Sequence, residues 1–181
     1  MPTASLIVRP STAADLDAIR DIYALAVTRG TSTFELEAPD LAEMTRRQND
    51  VLAKGLPWLV AEQDSRMLGY AYANHFRPRA AYRFSVEDSI YLHPEAWGRG
   101  VGRVLLAELL GRCQAAGARQ MLAVIGDSAN LSSIGVHRSL GFEPCGTLRS
   151  VGWKFGRWLD VVLMQRPLGA GSGAPATGGA T

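Results

Sequence analysis

The chain has little cysteine, no dominant charge and no long apolar run. Cys113 and Cys145 are its only cysteines, too few for the disulfide framework of a small secreted domain. Because 19 basic residues are balanced by 17 acidic ones along the chain, it lacks the basic stripe of a nucleic-acid-binding protein. No apolar stretch approaches the ~20 residues that span a bilayer, and residues 1–5 lack the regions of a secretory signal. We therefore expect a cytoplasmic protein with a small-molecule partner, no nucleic acid and no membrane.

The apolar content of 47% is sufficient for one globular domain. We assign residues 1–168 to this domain and residues 169–181, which contain only Gly, Ala, Ser, Pro and Thr, to a disordered tail. Hydrophobic periodicity predicts an α/β layered domain with a mixed sheet. The predicted helices cover residues 13–28, 40–54, 102–114 and 130–140, and the strands lie near residues 6–8, 57–62, 67–76, 86–92, 120–125, 142–151 and 158–165.

One segment predicts an anion-binding site, namely the run from Gly98 to Arg103 with glycines at 98, 100 and 102. It follows an apolar strand and opens a helix, so glycine backbone and unpaired helix N–H groups are available to a phosphate or pyrophosphate. The dinucleotide pattern Gly-x-Gly-x-x-Gly fails here, since its third glycine position holds Arg103 or Leu105. The Gly-Lys-Ser/Thr of a nucleoside triphosphate loop is also missing. The alternative is that the glycines only make a tight connection.

Five separated blocks follow one another along the chain, namely Val86-Glu-Asp-Ser-Ile-Tyr-Leu92, Ala123-Val-Ile-Gly126, His137-x-x-Leu140-Gly141-Phe142, Gly152-Trp153-Lys154 and Trp158-x-Asp160-Val161. In this order they resemble the GNAT superfamily of N-acetyltransferases, and more narrowly its phosphinothricin and methionine sulfoximine/sulfone acetyltransferases. This resemblance covers roughly residues 7–166. It implies a splayed, mixed β-sheet of about six to seven strands that is flanked by about four helices.

The resemblance also implies acetyl-CoA as co-substrate. In that family the glycine turn binds the pyrophosphate, the strand backbone pairs with the pantetheine arm, and the fourth helix contacts the cofactor. One position departs from the superfamily, because Trp97 stands where Gln or Arg is usual. The matching positions here are Gly98, Arg99, Gly100, Val101, Gly102 and Arg103 for the turn, Tyr91 and Leu92 for the strand, and Asn130 and Ser133 for the helix.

Two residues are predicted to be catalytic. Glu87 stands at the position of the family's general base, and partial burial would raise its pKa. The alternative is a solvated carboxylate, which is how we interpret Asp88 beside it. His137 stands where much of the superfamily has a tyrosine acting as general acid, so it is a candidate to protonate the thiolate or to relay a proton with Glu87. The alternative for His137 is a packed, hydrogen-bonded residue.

Other routes are disfavoured by the sequence. No Cys-x-x-Cys or His-x-x-x-His spacing is present, so we expect no metal. Cys113 lies on an apolar helix pattern and Cys145 has no neighbouring base in sequence. We therefore expect direct attack of the amine in a ternary complex, without an acetyl-cysteine intermediate.

The acceptor is predicted to be a small zwitterion held by Phe34, Arg79, Tyr82 and Phe84. Arginine pairs with a carboxylate, and the aromatic rings would enclose an apolar or sulfur-bearing side chain. A solvated arginine-rich loop is the alternative. The acidic run Phe34-Glu-Leu-Glu37 favours the uncharged heads of methionine sulfone and sulfoximine over phosphinothricin.

Three functions remain open from the sequence. The first is N-acetylation of the α-amine of a small amino acid or its toxic analogue. The second is a non-catalytic acyl-CoA-binding sensor or interaction domain, and the third is an acetyltransferase for protein N-termini or polyamines. The resemblance and the aromatic residues Trp153, Phe155 and Trp158 also lead us to expect a homodimer.

Overall fold

A computed structural model describes residues 5–176 of the chain. These residues form one mixed seven-stranded sheet with strand order β1-β2-β3-β4-β5-β7-β6 and four α-helices on its two faces. The predicted α/β fold is therefore confirmed. The strands are β1 Ile7–Pro10, β2 Trp58–Gln63, β3 Arg66–His75, β4 Ser85–Leu92, β5 Gln120–Gly126, β6 Glu143–Lys154 and β7 Arg157–Pro167. The helices are α1 Leu16–Arg29, α2 Leu41–Ala53, α3 Val101–Ala115 and α4 Leu131–Ser139.

The helix ends follow local signals in the sequence. Asp40 accepts a hydrogen bond from the Glu43 amide at 2.8 Å and caps α2, as its spacing predicts. Gly141 follows α4 with φ of 83°, the left-handed conformation that often ends a helix. The first helix begins at Leu16 instead of the predicted residue 13, because residues 13–15 form a 3-10 turn.

The helices cover opposite faces of the sheet. Successive residues of β4 contact helices on opposite faces. On one face, the Tyr91 ring packs edge-on against Tyr23 of α1, with centroids 4.9 Å apart. On the other face, Leu92 lies so close to Gly102 of α3 that a Cβ there would be 3.3 Å from Leu92 Cδ1. Residues 87, 89 and 91 therefore face α1 and α2, while residues 88, 90 and 92 face α3 and α4.

The sheet consists of two antiparallel parts that meet at one parallel pair. Strands β1 to β4 form one part, and β5, β7 and β6 form the other. Between them, β4 pairs with β5 only from Ser85↔Gln120 to Asp88↔Ala123. We call the point beyond Asp88 and Ala123, where β4 and β5 diverge, the fork.

Part of the predicted disordered tail lies against the domain. The Gly169 amide donates to Gln114 Oε1 at 3.1 Å, and Arg119 donates to the carbonyls of Gly171 and Ala174. Residues 177–181 of that tail, and residues 1–4 of the assigned domain, lie outside the described residues.

Candidate functional site

The fork opens a small cavity in the middle of the molecule. Its volume is about 170 Å³, and its walls are the diverging ends of β4 and β5, the loop after α1 and the start of α4. Ser89 to Leu92 have no strand partner on the β5 side, so their backbone groups on this side are available to a ligand. We call this space the fork cavity.

A larger groove continues from the fork cavity to the start of α3. It has a volume of about 670 Å³ and runs between the end of α1, strand β4 and helix α4. Gly102, Pro94 and Trp97 line its far end, and the Trp97 side chain is 67% exposed there. The two spaces are continuous, since both are lined by Ser32, Ile90, Tyr91, Asn130, Ser133 and His137.

The glycine turn presents free amides at the far end of this groove. Gly98 and Gly100 have φ of 72° and 78° and open space where a side chain would stand. The amides of Gly98, Gly100, Val101 and Gly102 have no acceptor within residues 5–176, whereas Arg99 N donates to Ala96 O and Arg103 N donates to Gly100 O. Four of the six predicted amides are therefore available to an anion, and those of Arg99 and Arg103 are not.

Two predicted turn residues have other structural roles. Gly102 is the second residue of α3, and its missing side chain lets the helix approach Leu92 closely. The Arg99 guanidinium hydrogen-bonds Gln63 and the Glu95 carbonyl, and the Arg103 side chain is exposed. Neither arginine lines the groove.

Glu87 lies in the fork cavity, on the α1 face of β4. Burial raises the pKa of its carboxyl to about 7; the negative charge of Asp88 adds to the rise, and Arg77 opposes it. No hydrogen bond to the Glu87 carboxylate is found among the described residues, which leaves it available to a ligand. A half-buried carboxylate with a pKa near neutrality is suited to act as a general base.

Asp88 is not the solvated carboxylate that we expected. Its side chain is 2% exposed, and its Oδ2 lies 2.9 Å from His137 Nε2. The other ring nitrogen, Nδ1, lies 2.7 Å from the Ser133 carbonyl oxygen. The strand alternation explains the error, because Asp88 shares the buried face with Val86 and Ile90.

His137 therefore contacts Asp88 and not Glu87, so the predicted relay between His137 and Glu87 is not formed. The two predicted catalytic residues lie on opposite faces of β4 and meet only at the fork cavity, which both of them line. Burial lowers the pKa of His137, but the hydrogen bond and charge of Asp88 outweigh it, and the pKa is raised overall. The alternative of a packed, hydrogen-bonded histidine describes its environment.

The remaining predicted cofactor residues line the groove. Asn130 caps α4 by accepting from the Ser133 amide at 3.2 Å, and both side chains reach the fork cavity and the groove. Tyr91 and Leu92 form the β4 wall of the groove. The structure thus brings together the strand, the helix start and the glycine turn that the sequence singled out.

None of the four predicted acceptor residues lines the fork cavity or the groove. Phe34 packs against Gly126 and Gly152, where any side chain at Gly152 would collide with its ring. Arg79 and Tyr82 lie exposed in the loop before β4, and the Tyr82 ring packs edge-on against Phe76 at 5.9 Å. Phe84 accepts hydrogen bonds from the amides of residues 119 and 120 at the start of β5.

A network of polar residues that the sequence did not indicate holds the loop beside Phe34. Tyr23 donates to Glu35 at 2.8 Å, and Arg47 pairs with Glu35 at 2.7 Å. The buried Lys154 donates to the Thr33 carbonyl at 2.8 Å. Because Glu35 is paired and lines neither cavity, the expected repulsion of an anionic acceptor by Glu35 has no basis in this geometry.

A second unpredicted residue, Asp127, ties the groove walls together. Its carboxylate accepts from Thr31 Oγ1 at 3.0 Å, from the Ala129 amide at 3.0 Å and from Arg157 at 2.6 Å. These bonds connect the loop after α1, the start of α4 and strand β7. Asp127 has φ of 70°, but neither this conformation nor its distant partners leave a signal in the sequence.

Three further observations concern the thiol of Cys113, the metal-ligating side chains and the length of the helices. Cys113 is fully buried, and burial raises the pKa of its thiol to about 12, with a smaller contribution from Asp88. Within residues 5–176, no three side chains of His, Cys, Asp or Glu come together as a metal site. None of the helices in this part of the chain is long and apolar enough to cross a membrane.

Comparisons with known proteins agree with this geometry. The family model for the acetyltransferase (GNAT) family matches residues 17–142. A phosphinothricin N-acetyltransferase of Alcaligenes faecalis is 57% identical over 157 residues, which are 87% of this chain and 80% of that protein. An L-methionine sulfoximine/L-methionine sulfone acetyltransferase of Pseudomonas aeruginosa is 40% identical over 93% of this chain and 98% of its own. The crystal structure of a phosphinothricin acetyltransferase from Sinorhizobium meliloti, in complex with AcCoA, matches with a TM-score of 0.93 and 51% identity over 98% of this chain and 95% of that one.

Proposed function

Because the chain belongs to the acetyltransferase (GNAT) family, we propose that it transfers the acetyl group of acetyl-CoA to the α-amine of a small amino acid or its toxic analogue. The observation that carries this proposal is the position of Glu87. Its carboxylate, with a pKa of about 7, lies in the fork cavity, and that cavity opens into a groove that ends at Gly102, in the glycine turn with the free amides.

The groove has the donors that acetyl-CoA requires. The amides of Gly98, Gly100, Val101 and Gly102 are suited to the pyrophosphate, since successive N–H groups at a helix start favour an anion. The unpaired backbone of Tyr91 and Leu92 is suited to the amides of the pantetheine arm, which would add to β4 like a strand. This arrangement puts the thioester in the fork cavity, beside Glu87.

Glu87 supplies the base for the reaction. A bound amino acid arrives as an ammonium ion, and a carboxylate with a pKa near 7 accepts its proton near neutral pH. The neutral amine then attacks the thioester carbonyl. The C–S bond breaks as the amide forms, CoA leaves as the thiolate, and the second proton lost by the nitrogen neutralises this thiolate. Cys113 is unsuited to a covalent route, because burial holds its thiol in the neutral form.

The acceptor class follows from the charges around Glu87 and from the relatives. Arg77 acts on the Glu87 carboxyl, and Arg79 is exposed in the same loop without an ion-pair partner among the described residues. Guanidinium groups here favour an acceptor with a carboxylate. The relatives named above act on phosphinothricin or on methionine sulfoximine and sulfone. We therefore place the acceptor among these three compounds.

The test is a panel of amines assayed for CoA release. We expect methionine sulfone, methionine sulfoximine or phosphinothricin to give a higher kcat/KM than methionine, spermidine or a short peptide. A preference for spermidine or the peptide would overturn the acceptor class and leave acetyl transfer standing. Binding of acetyl-CoA without turnover on any amine would favour a non-catalytic acyl-CoA sensor.

We also propose that the protein is a homodimer in the cytoplasm. β6 is an edge strand, and it carries exposed apolar side chains together with the start of β7: Trp153 is 56% exposed and Trp158 is 61% exposed. An exposed apolar edge of this kind is typical of a protein interface. Both cysteines are free thiols, which is compatible with a reducing compartment.

A further inference from the structure

The buried pair at the fork has both ring nitrogens of His137 in use. Nδ1 lies 2.7 Å from the Ser133 carbonyl oxygen and Nε2 lies 2.9 Å from Asp88 Oδ2. The edge of the ring also meets Phe142, with centroids 4.9 Å apart. Each side chain of the pair is 2% exposed, so water does not compete for these contacts.

The partners of the ring fix how many protons the pair holds. The Ser133 hydroxyl is 3.4 Å from Nδ1, so the carbonyl oxygen at 2.7 Å is the closer partner. A carbonyl oxygen only accepts, so Nδ1 must carry a hydrogen. The contact between Nε2 and Asp88 then needs one more proton, which is on the imidazolium or on the carboxyl. In both forms the pair holds two protons, and no N–H of His137 is left to point at a ligand.

The surroundings favour the imidazolium–carboxylate form. The titratable groups around the pair are Cys113 from α3, whose thiol stays neutral, and Glu87 from the opposite face of β4. β5 contributes the apolar Ala123 beside Asp88. Asp88 is therefore the nearest counter-charge for an imidazolium, and releasing the His137 proton would leave a buried carboxylate unpaired.

The pair also stands where the sheet divides. Asp88 is the last residue of β4 that pairs with β5, and His137 lies on α4. Helix α4 begins at Asn130 and Ser133, which line both the fork cavity and the groove. The Asp88–His137 contact is thus the tie between the fork and the helix that forms one wall of the cofactor groove.

We propose that Asp88 and His137 are positioning residues that hold α4 against the fork, and that His137 keeps both ring protons during turnover instead of acting as general acid. This inference rests on the proposed acetyl transfer for its consequence in catalysis. It predicts that the proton state of His137 does not change over the pH range in which activity changes.

The direct test is ¹⁵N NMR of the imidazole nitrogens in histidine-labelled wild-type protein, free and with CoA. The chain has three histidines, and the variants His75→Gln and His93→Gln assign their signals. We expect both nitrogens of His137 to remain protonated over the whole pH range in which kcat/KM changes. Titration of His137 in step with kcat/KM, in either state, would overturn the proposal.

Variants give a second test, because the loss of a proton donor and the loss of a positioning residue change different quantities. For His137→Gln and Asp88→Asn we expect the Kd of CoA in calorimetry to rise about three- to tenfold. The kcat/KM profile of His137→Gln should keep the wild-type pKa values, whereas Asp88→Asn should lower the pKa of Glu87, because the charge of Asp88 raises it. The double variant should lose less than the sum of both, since one contact is removed. The control His75→Gln, at an exposed histidine on β3, should keep the wild-type Kd.

The opposite pattern would show a general acid. In His137→Gln this pattern is an unchanged Kd of CoA, a kcat that falls at least about a hundredfold, and a kcat/KM profile without its alkaline limb. This result would overturn the positioning role. If no amine is acetylated at all, the proposed function fails. The NMR and calorimetric results still decide the proton state and the positioning role of the pair.

Discussion

Glu87 and Asp88 follow one another in β4, but their environments differ because successive strand residues face opposite sides of a sheet. Asp88 meets His137 in the interior, and Glu87 remains without a hydrogen-bond partner among the described residues, in the fork cavity. The same chemical group is thus fixed at one position and available at the next. The pKa of Glu87 depends partly on this neighbour, since the charge of Asp88 raises it.

Replacing Glu87 by glutamine should remove the base while conserving its shape. We expect kcat to fall by about 10² to 10⁴ with little change in the Kd of acetyl-CoA. In the wild type, kcat/KM should rise with pH through about 7 as Glu87 loses its proton, and the variant should lack this limb. Wild-type turnover by Glu87→Gln would show that the carboxylate is not the base.

The same variant should be more stable than the wild type at alkaline pH. The folded-state pKa of Glu87, about 7, is above its ordinary value of 4.5, so its contribution to stability is complete below pH 4.5 and is lost as the pH rises through 7. The uncharged glutamine does not suffer this loss. We expect the unfolding free energy of Glu87→Gln to exceed that of the wild type by about 1–3 kcal/mol at pH 8, and by much less at pH 4.5. Equal differences at both pH values in urea titrations would contradict this assignment.

Trp97 lies at the edge of the groove with 67% of its surface exposed, so it is not part of a neighbouring core. It precedes the free amides and lines the groove together with Leu92 and Pro94, on the side that we propose for the pantetheine arm. We expect Trp97→Ala to raise the Kd of acetyl-CoA about three- to tenfold through lost apolar contact, and Trp97→Phe to raise it less. The Kd of adenosine 3′,5′-bisphosphate, which lacks this arm, should not change. An equal loss for both ligands would place the contact elsewhere.

Among the secondary-structure elements, the turn into α3 depends most on glycine. Gly100 caps the helix in the left-handed conformation, with φ of 78°, and its amide is free. A β-branched residue there pays a conformational cost and brings bulk to the anion site. We expect Gly100→Val to raise the Kd of acetyl-CoA at least about tenfold, which equals about 1.4 kcal/mol.

Gly111 is the matched control for this prediction. It lies inside the same helix with nothing near the position of a Cβ. Gly111→Ala should keep the wild-type Kd and raise the unfolding free energy by about 0.5–1 kcal/mol, because alanine is the better helix former. A folded Gly100→Val variant with unchanged affinity would exclude the turn as the pyrophosphate site.

The elements differ in how well the sequence predicts them. The strand β4 and the start of α3 were predicted because their signals are local: an apolar strand, then glycines, then a helical pattern. The loop at Thr33 and Glu35 was not, because Arg47 and Lys154, which hold it, are distant in sequence. The acceptor pocket stays a prediction for a similar reason, since the sequence does not tell how the loops at Phe34 and Arg79 fold toward each other.

At the scale of the whole molecule, the β6–β7 hairpin is the least covered part of the fold. Trp153 and Trp158 pack edge-on at 5.1 Å while more than half of each remains exposed. If this hairpin is the dimer interface, the carboxylate introduced by Trp158→Glu would be buried without a partner when the two chains associate. We expect light scattering to give twice the chain mass of 19.5 kDa for the wild type and the single chain mass for Trp158→Glu. A wild-type mass of 19.5 kDa at micromolar concentration would contradict the dimer.

The short parallel pairing between β4 and β5 is a weak connection between the two antiparallel parts of the sheet. Strands β1 to β4 and strands β5 to β7 are each joined by antiparallel ladders, while these two halves share only the pairs from Ser85 to Asp88. A load applied across the sheet would part the two halves along this seam first. A ligand bound in the fork would contact both halves of the sheet. Acetyl-CoA would therefore stiffen the protein at the place where the two halves are joined by these few strand pairs. An acceptor that binds beside the cofactor would meet a firmer cavity, so each ligand would favour binding of the other.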